Sequence, residues 1–463
     1  MALRLTTYGG AETVTGSNFL VEGSHGKVLV DCGIEQGKEY AERRAYEPFP
    51  YDVSSIDALV ITHAHLDHVG RAPRLVREGF RGKVYMTAPT RDLTAAILHD
   101  SIAILADNAR KHNLPVLYEA HDVETLLSHI VVVPYRKETE IAPGLTMLLR
   151  DTGHILGSAS VRLRDEDGST LAITSDIGNS PALLLPDAEP VTDASVVLME
   201  SVYGDRENPE KAHREEKLRD TLKAAIARGG TILMPAFSIE RTQLMLYEIS
   251  RMFTEGQLPK VPVFLDSPLA ISVTDIYRSW GGEYFNTEAK NEMHAHDLFS
   301  FPFLHMTRSR EESQTIGHEP DPKIIIAGAG MSHGGRIGRW EVRYLPDPKT
   351  TLILVGYQAP GSPGRMMQDG AKKVRIDGKE VKIRATIETL HGWSGHADRD
   401  GLLRFAEACT GAKAFIVGIG EPSSARFLAQ RIHDFVGKKA VVPVSGETFE
   451  ITPAGLVRGE FRA

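Results

Sequence analysis

Apolar and polar positions change rhythm several times along the chain. Over the first sixty residues, short β-rich runs at 3–8, 18–21 and 27–30 alternate with the turn signals Gly9-Gly10, Gly23-Ser24-His25-Gly26 and Asp31-Cys32-Gly33. Evenly spaced short strands with Gly-rich turns predict an antiparallel sheet. Residues 57–62 read as a further buried strand. Leu66, Val69, Leu75 and Val76 then recur at helical spacing over 66–78, with Pro73 requiring that helix to begin late or bend. The pattern is helical over 90–129 and returns to short strands over 130–193, a mixture that predicts sheets layered with helices. Apolar, β-branched runs at 194–200, 230–235, 260–265, 323–327 and 350–355, separated by helical stretches, carry the βαβ pattern of a parallel sheet. Between 372 and 387 strict alternation resumes around Asp377-Gly378, a hairpin turn. These changes divide the chain into a first part at 1–207, an inserted α/β domain at 208–374 and a return segment of the first domain at 375–463.

A length of 463 residues supports this division, being more than one ordinary core needs. With 42% hydrophobic and 25% charged residues and no low-complexity tract, the chain is an ordinary globular one. A net charge of −8 excludes indiscriminate coating of nucleic acid but not a local basic groove. Two cysteines, Cys32 and Cys409, exclude a disulfide scaffold or a Cys-based zinc site and suit a reducing, cytoplasmic setting. No signal peptide or membrane span is predicted, since no segment approaches eighteen apolar residues.

The chemistry concentrates at strand ends. The run Ile61-Thr62-His63-Ala64-His65-Leu66-Asp67-His68-Val69-Gly70 places three imidazoles and a carboxylate just after an apolar strand. Neutral imidazole and carboxylate are preferred ligands of zinc and similar ions. His63 and His65 can converge on one ion while Asp67 and His68, a turn further on, face a second. Two ions need more ligands, and His154 in Asp151-Thr152-Gly153-His154-Ile155-Leu156-Gly157-Ser158-Ala159 and Asp176 in Ser175-Asp176-Ile177-Gly178 each follow a strand-like run.

Asp31 after a strand, HAHLDH, GHILGSAS and SDIG, in that order, resemble the metallo-β-lactamase fold hydrolases. The stretches 198–204 (LMESVYG), 235–243 (PAFSIERTQ), Gly334-Gly335-Arg336 and 393–398 (WSGHAD) are similar to the β-CASP branch, which includes the pre-mRNA 3′-end cleavage endonuclease and bacterial and archaeal ribonucleases. The resemblance implies an αββα sandwich with an inserted α/β β-CASP cap. It implies two Zn2+, with Mn2+ as a substitute: His63, His65 and His154 on one ion, Asp67 and His68 on the other, Asp176 bridging both, and Asp31 orienting a ligand. A hydroxide bridging two such ions would attack phosphorus in line. Asp67 is thereby also catalytic, His396 is the candidate acid for the leaving oxygen, and Glu200 holds it protonated and aimed.

One position departs from that pattern. RNA-processing members typically carry Val-His-Gly-Glu after the following strand, and this chain reads Val417-Gly418-Ile419-Gly420-Glu421. Isoleucine cannot coordinate, so the second ion keeps three protein ligands and is expected to be weaker or recruited with substrate. The leading expectation is a metal-dependent ribonuclease acting on single-stranded RNA admitted to a cleft between domain and cap, with a homodimer left open. The alternatives are a β-CASP DNA nuclease, some of which carry an apolar residue at this position, and a catalytically weakened RNA-binding or complex-assembly protein. Candidate substrate contacts are Arg241, presented at a helix start capped by Ser238, with Ser332 and Arg336 of the Gly-rich loop and Ser394. His294-Ala295-His296-Asp297 mimics the metal motif after a helix and is read as surface. Lys372, Lys373, Arg375, Lys379, Lys382 and Arg384 form a basic hairpin suited to a nucleic-acid backbone.

Overall fold

The period-2 apolar pattern is satisfied by two stacked sheets. In a computed structural model describing residues 2–36, 44–332, 334–359 and 361–461, the first sheet has the order Gly455–Phe461, Glu447–Thr452, Leu3–Gly9, Asn18–Glu22, Lys27–Val30, Ala58–Val60, Lys83–Met86, Ile130–Val132. The second runs Lys439–Val441, Ala414–Val417, Val196–Met199, Thr170–Ile173, Ala159–Asp165, Leu145–Asp151, Thr139–Ala142. Residues two apart meet in one core. Leu3 and Leu5, Phe19 and Val21, Val28 and Val30, and Ala58 and Val60 face Met147 and Leu149, Val161 and Leu163, Leu171 and Ile173, and Val196 and Leu198. The intervening Val197, Met199, Phe415 and Val417 pack outward with Leu402, Phe405, Leu428 and Ile432. The helices Arg399–Ala408 and Pro422–Arg431 thus cover the outer face of this sheet. That double burial explains why Val196–Met199 is wholly apolar.

The predicted strand at 194–200 therefore does not extend the later parallel sheet. It pairs in parallel with Thr170–Ile173 and Ala414–Val417 in the sandwich. The predicted helix over 66–78 is two pieces, Leu66–Val69 and Ala72–Arg77, with Pro73 in the first turn of the second, where its missing N–H costs nothing.

By contacts the chain forms two units, Met1–Glu207 with His396–Ala463, and Asn208–Gly395. The return comes at His396 and not at the expected 375, because Thr386–Leu390 pairs along its whole length with Thr351–Val355 of the second unit. That unit holds a parallel sheet ordered Leu304–Met306, Val263–Leu265, Lys323–Ala327, Thr231–Pro235, Thr351–Val355, Thr386–Leu390. The hairpin of Lys373–Ile376 and Lys379–Lys382 turns at Asp377 and Gly378, both at positive φ.

Candidate active site

Within the first unit, the C-terminal ends of parallel-running strands gather the candidate ligands at one edge. Lys27–Val30 delivers Asp31 and Ala58–Val60 delivers the His63 to His68 run; Leu145–Asp151, Thr170–Ile173 and Val196–Met199 deliver His154, Asp176 and Glu200. Three non-glycine residues just past strand ends, Asp31, Ser175 and Ile419, have φ of 60°, 55° and 45°. Such backbone is sparsely populated and persists where surrounding structure over-determines it.

Four side chains form a tight cluster. His65 Nδ1 lies 3.1 Å from His63 Nε2 and 3.3 Å from His154 Nε2. Asp176 Oδ2 lies 3.5 Å from His63 Nε2 and 3.4 Å from His154 Nε2. One ligand atom from each of the four falls within 4.8 Å of all the others, a spacing that fits one cation. Burial, followed by the neighbouring imidazoles, holds His63 well below the usual histidine range, which keeps it in the neutral form a metal requires.

The second half-site is looser. His68 Nε2 faces Asp176 Oδ1 at 3.5 Å and Asp67 Oδ2 at 3.9 Å. Both His68 Nε2 and Asp176 Oδ1 are buried and make no hydrogen bond. Orphaned buried polar atoms are costly, and a divalent cation between them would satisfy both. The residues present therefore fit an ion here as well. Without one, burial pulls the His68 imidazole down, but Asp176, Asp31 and Asp67 together lift it to about 10.

The support of these ligands was only partly foreseen. Asp31 is fully buried; its Oδ1 accepts the Thr62 N–H at 2.8 Å, and its Oδ2 accepts the Thr62 hydroxyl at 2.8 Å and His68 Nδ1–H at 2.7 Å. That last bond holds the proton on Nδ1, so that Nε2, facing Asp67 and Asp176, is the nitrogen a cation would take. Thr62 Oγ1 also contacts Ser175 Oγ at 2.7 Å and His63 Nδ1 at 3.2 Å. Ser158 Oγ accepts the His154 N–H at 3.1 Å and the Thr152 hydroxyl at 2.9 Å, bracing the loop that carries His154. Sequence reasoning missed Thr62, Ser175 and Ser158. Their signal was small hydroxyl residues directly beside the ligands.

A second constellation adjoins the first. Glu200, fully buried, accepts the Ile177 N–H and places Oε2 3.2 Å from His396 Nδ1. Ala397 N–H donates to Ile177 O at 2.8 Å, seating His396 beside the Asp176 loop with its ring 4.7 Å from that of His154. Burial lowers the pKa of His396, but the Glu200 carboxylate, by charge and hydrogen bond, and then Asp176 and Asp67 outweigh it and raise it to about 9. Ile419 is fully buried in the apolar sandwich core, its N–H bonded to Gly10 O at 2.6 Å. A β-branched residue at φ 45° is an outlier, in a backbone conformation where histidine is among the enriched residues.

The remaining candidates lie in the second unit. Arg336 Nη1 donates to Asp266 Oδ1 at 2.7 Å and Thr307 O at 3.0 Å, and Nη2 to Arg308 O at 2.8 Å, bonds that give it a structural task. Ser332 is buried with Oγ 2.5 Å from Glu341 Oε1. Arg241 Nη1 donates to Val355 O at 2.7 Å. Its helix, Arg241–Thr254, is preceded by Glu240 and has no side-chain cap, so the expected Ser238 cap is not made. Ser394 is half-buried, and His294 and His296 are exposed, as a surface reading requires. Among the described residues no helix is long and apolar enough to cross a membrane.

Comparison with known proteins agrees with this geometry. The chain matches the Metallo-beta-lactamase superfamily over residues 12–171, the Beta-Casp domain over 242–367 and the Zn-dependent metallo-hydrolase RNA specificity domain over 380–443. It is 37% identical over 405 residues to the ribonuclease TTHA0252 of Thermus thermophilus, covering 87% of this chain and 90% of that protein. It is 32% identical over 417 residues to the transcription termination factor FttA of Methanosarcina mazei, covering 88% of this chain but only 64% of that longer protein. A crystal structure of a protein of unknown function from Enterococcus faecalis V583 shares the fold, with a TM-score of 0.57 at 13% identity over 97% of this chain and 99% of that one. The chain thus belongs to the β-CASP family of the metallo-β-lactamase superfamily.

Proposed function

We propose that this chain is a metal-dependent ribonuclease that hydrolyses phosphodiester bonds of single-stranded RNA, holding two divalent ions, zinc by preference. The observation that carries the reading is the pairing of a His63, His65, His154 and Asp176 ligand cluster with an adjacent His396 whose Nδ1 lies 3.2 Å from the buried Glu200 carboxylate. A neighbour named as a ribonuclease, aligned over most of both chains, supports RNA as the substrate.

His63, His65 and His154 would hold one ion, Asp67 and His68 the other, with Asp176 reaching both. Bound there, such ions would supply a lowered water pKa and positive charge to offset that growing on the phosphoryl oxygens. The side chains supply the proton steps. Asp67 accepts a proton from the attacking water as its oxygen bonds phosphorus. As the bond to the leaving sugar oxygen breaks, His396 gives that oxygen a proton. Glu200, paired to Nδ1, favours the charged ring and leaves Nε2 as the nitrogen that donates the proton. Asp31 keeps His68 in its ligand tautomer.

The test is cleavage of labelled single-stranded RNA and single-stranded DNA of the same sequence, with zinc or with manganese. RNA cleavage that falls about 10²–10⁴-fold in His396→Ala, at unchanged metal content, is the expected result. Cleavage of DNA alone makes the chain a DNA nuclease, and loss of cleavage of both with RNA binding intact makes it a binding protein.

A further inference from the structure

The hairpin Lys373–Ile376 and Lys379–Lys382 has one apolar, buried face and one charged, exposed face. Val374, Ile376 and Val381, with Ile383 just beyond, are buried against Trp340, Leu233 and Leu352 of the second unit's core. That inner face satisfies folding. The opposite face carries Lys373, Arg375, Glu380 and Lys382, with Arg384 just beyond; Lys372 and Lys379 follow the inner-face alternation but are exposed at the ends of the strands. Residues 372–384 hold six bases and two acids, in a chain whose net charge is −8. Of the acids, Glu380 contacts Lys373 at 2.7 Å, and Asp377 sits at the turn against Gly338.

The register sharpens the point. Lys373 stands directly opposite Lys382, and Arg375 opposite Glu380. Like charges facing each other across an antiparallel pair destabilise it, so strand pairing gives no reason for setting Lys373 opposite Lys382. On two strands about 4.7–4.9 Å apart, Lys373, Arg375, Lys382 and the following Arg384 form a patch of cations interrupted by Glu380, without apolar side chains between them. It suits a flexible polyanion and offers nothing to insert into a lipid surface.

We propose that the outer face of this hairpin grips the phosphate backbone of single-stranded RNA, a contact separate from the residues that act on the cleaved bond. It rests on the ribonuclease reading for its choice of polyanion. A sequence-independent grip of this kind adds affinity by counterion release and is strongly salt-dependent.

The test uses the full chain with the triple variant Lys373→Gln, Lys382→Gln, Arg384→Gln and a charge-preserving control, Lys373→Arg, Lys382→Arg, Arg384→Lys. Affinity for a fluorescent 30-nucleotide unstructured RNA is measured by anisotropy from 50 to 200 mM salt. Three lost phosphate contacts reduce the log–log salt slope by about 2, so across that range wild-type affinity falls about 18-fold more than the variant's. The control keeps the wild-type slope. An unchanged slope in a Gln variant with the wild-type melting curve overturns the proposal, as does a polyglutamate of equal charge competing as well as RNA. Cleavage of RNA by the wild-type chain is scored separately. Its absence with the slope difference present defeats the ribonuclease reading alone, and its presence with no slope difference defeats the hairpin proposal alone.

Discussion

Replacing Asp31 by Asn tests the claim that the second half-site depends on one imidazole tautomer. The carboxylate is fully buried and accepts from Thr62 N, the Thr62 hydroxyl and His68 Nδ1 at 2.7–2.8 Å. An amide of the same shape has one accepting end. If its NH2 faces His68, Nδ1 must become the acceptor and the proton moves to Nε2, removing the lone pair aimed at Asp67 and Asp176. If it faces Thr62 instead, a buried backbone N–H loses its acceptor. Either way one hydrogen bond to a charged group is lost, about 1.5–3 kcal/mol, or roughly 10- to 150-fold in an equilibrium constant. That range overlaps the loss usual for partners that orient metal ligands. Competition against a zinc-binding dye, followed to saturation, should show the weaker class of site falling by this factor while the site of His63, His65 and His154 is retained. Unchanged affinity at the weaker site, or equal loss at both, would refute the tautomer argument.

Other substitutions probe separate features. In Ile419→His the new side chain sits in an apolar core, so the metal-free protein should lose about 1–3 kcal/mol in urea denaturation and recover it when zinc is added, with a tighter second site; loss without recovery would place position 419 out of the ion's reach. Gly33→Ala puts a Cβ 1.6 Å from Asp67 O, and the forced shift should cost about 3 kcal/mol and loosen the Asp67 half-site; an unchanged denaturation midpoint contradicts this packing. Burial lifts Glu341 from 4.5 to about 7. The folded chain therefore holds a proton between these values that the unfolded chain has released; its stabilising contribution is whole below pH 4.5 and lost as pH rises through 7. Glu341→Gln should match wild type near pH 4.5 and be more stable at pH 8 by up to about 3 kcal/mol; a parallel pH profile would show that Glu341 does not contribute it.

The sequence by itself determined what local pattern encodes. Alternation at 3–8, 18–21 and 27–30 marked strands because half-buried sheets repeat every two residues, and the His63 to His68 run marked a metal site because its ligands are contiguous at a strand end. His154 and Asp176 became legible as further ligands beside that run because each follows a strand-like stretch, whereas Glu200 and His396 became legible only through resemblance. Tertiary structure decided the rest. It assigned Val196–Met199 to the sandwich, because a wholly apolar strand reads the same in either parallel setting. It joined Glu200 to His396 across 196 residues, and Asp31 to Thr62 and His68. It also committed Arg336 to Asp266 and two carbonyls, which no pattern in the chain announced. Ligand identity is carried by residue type at a strand end, whereas tautomer, hydrogen-bond partner and the engagement of an arginine depend on which strand ends the register brings within about 3 Å.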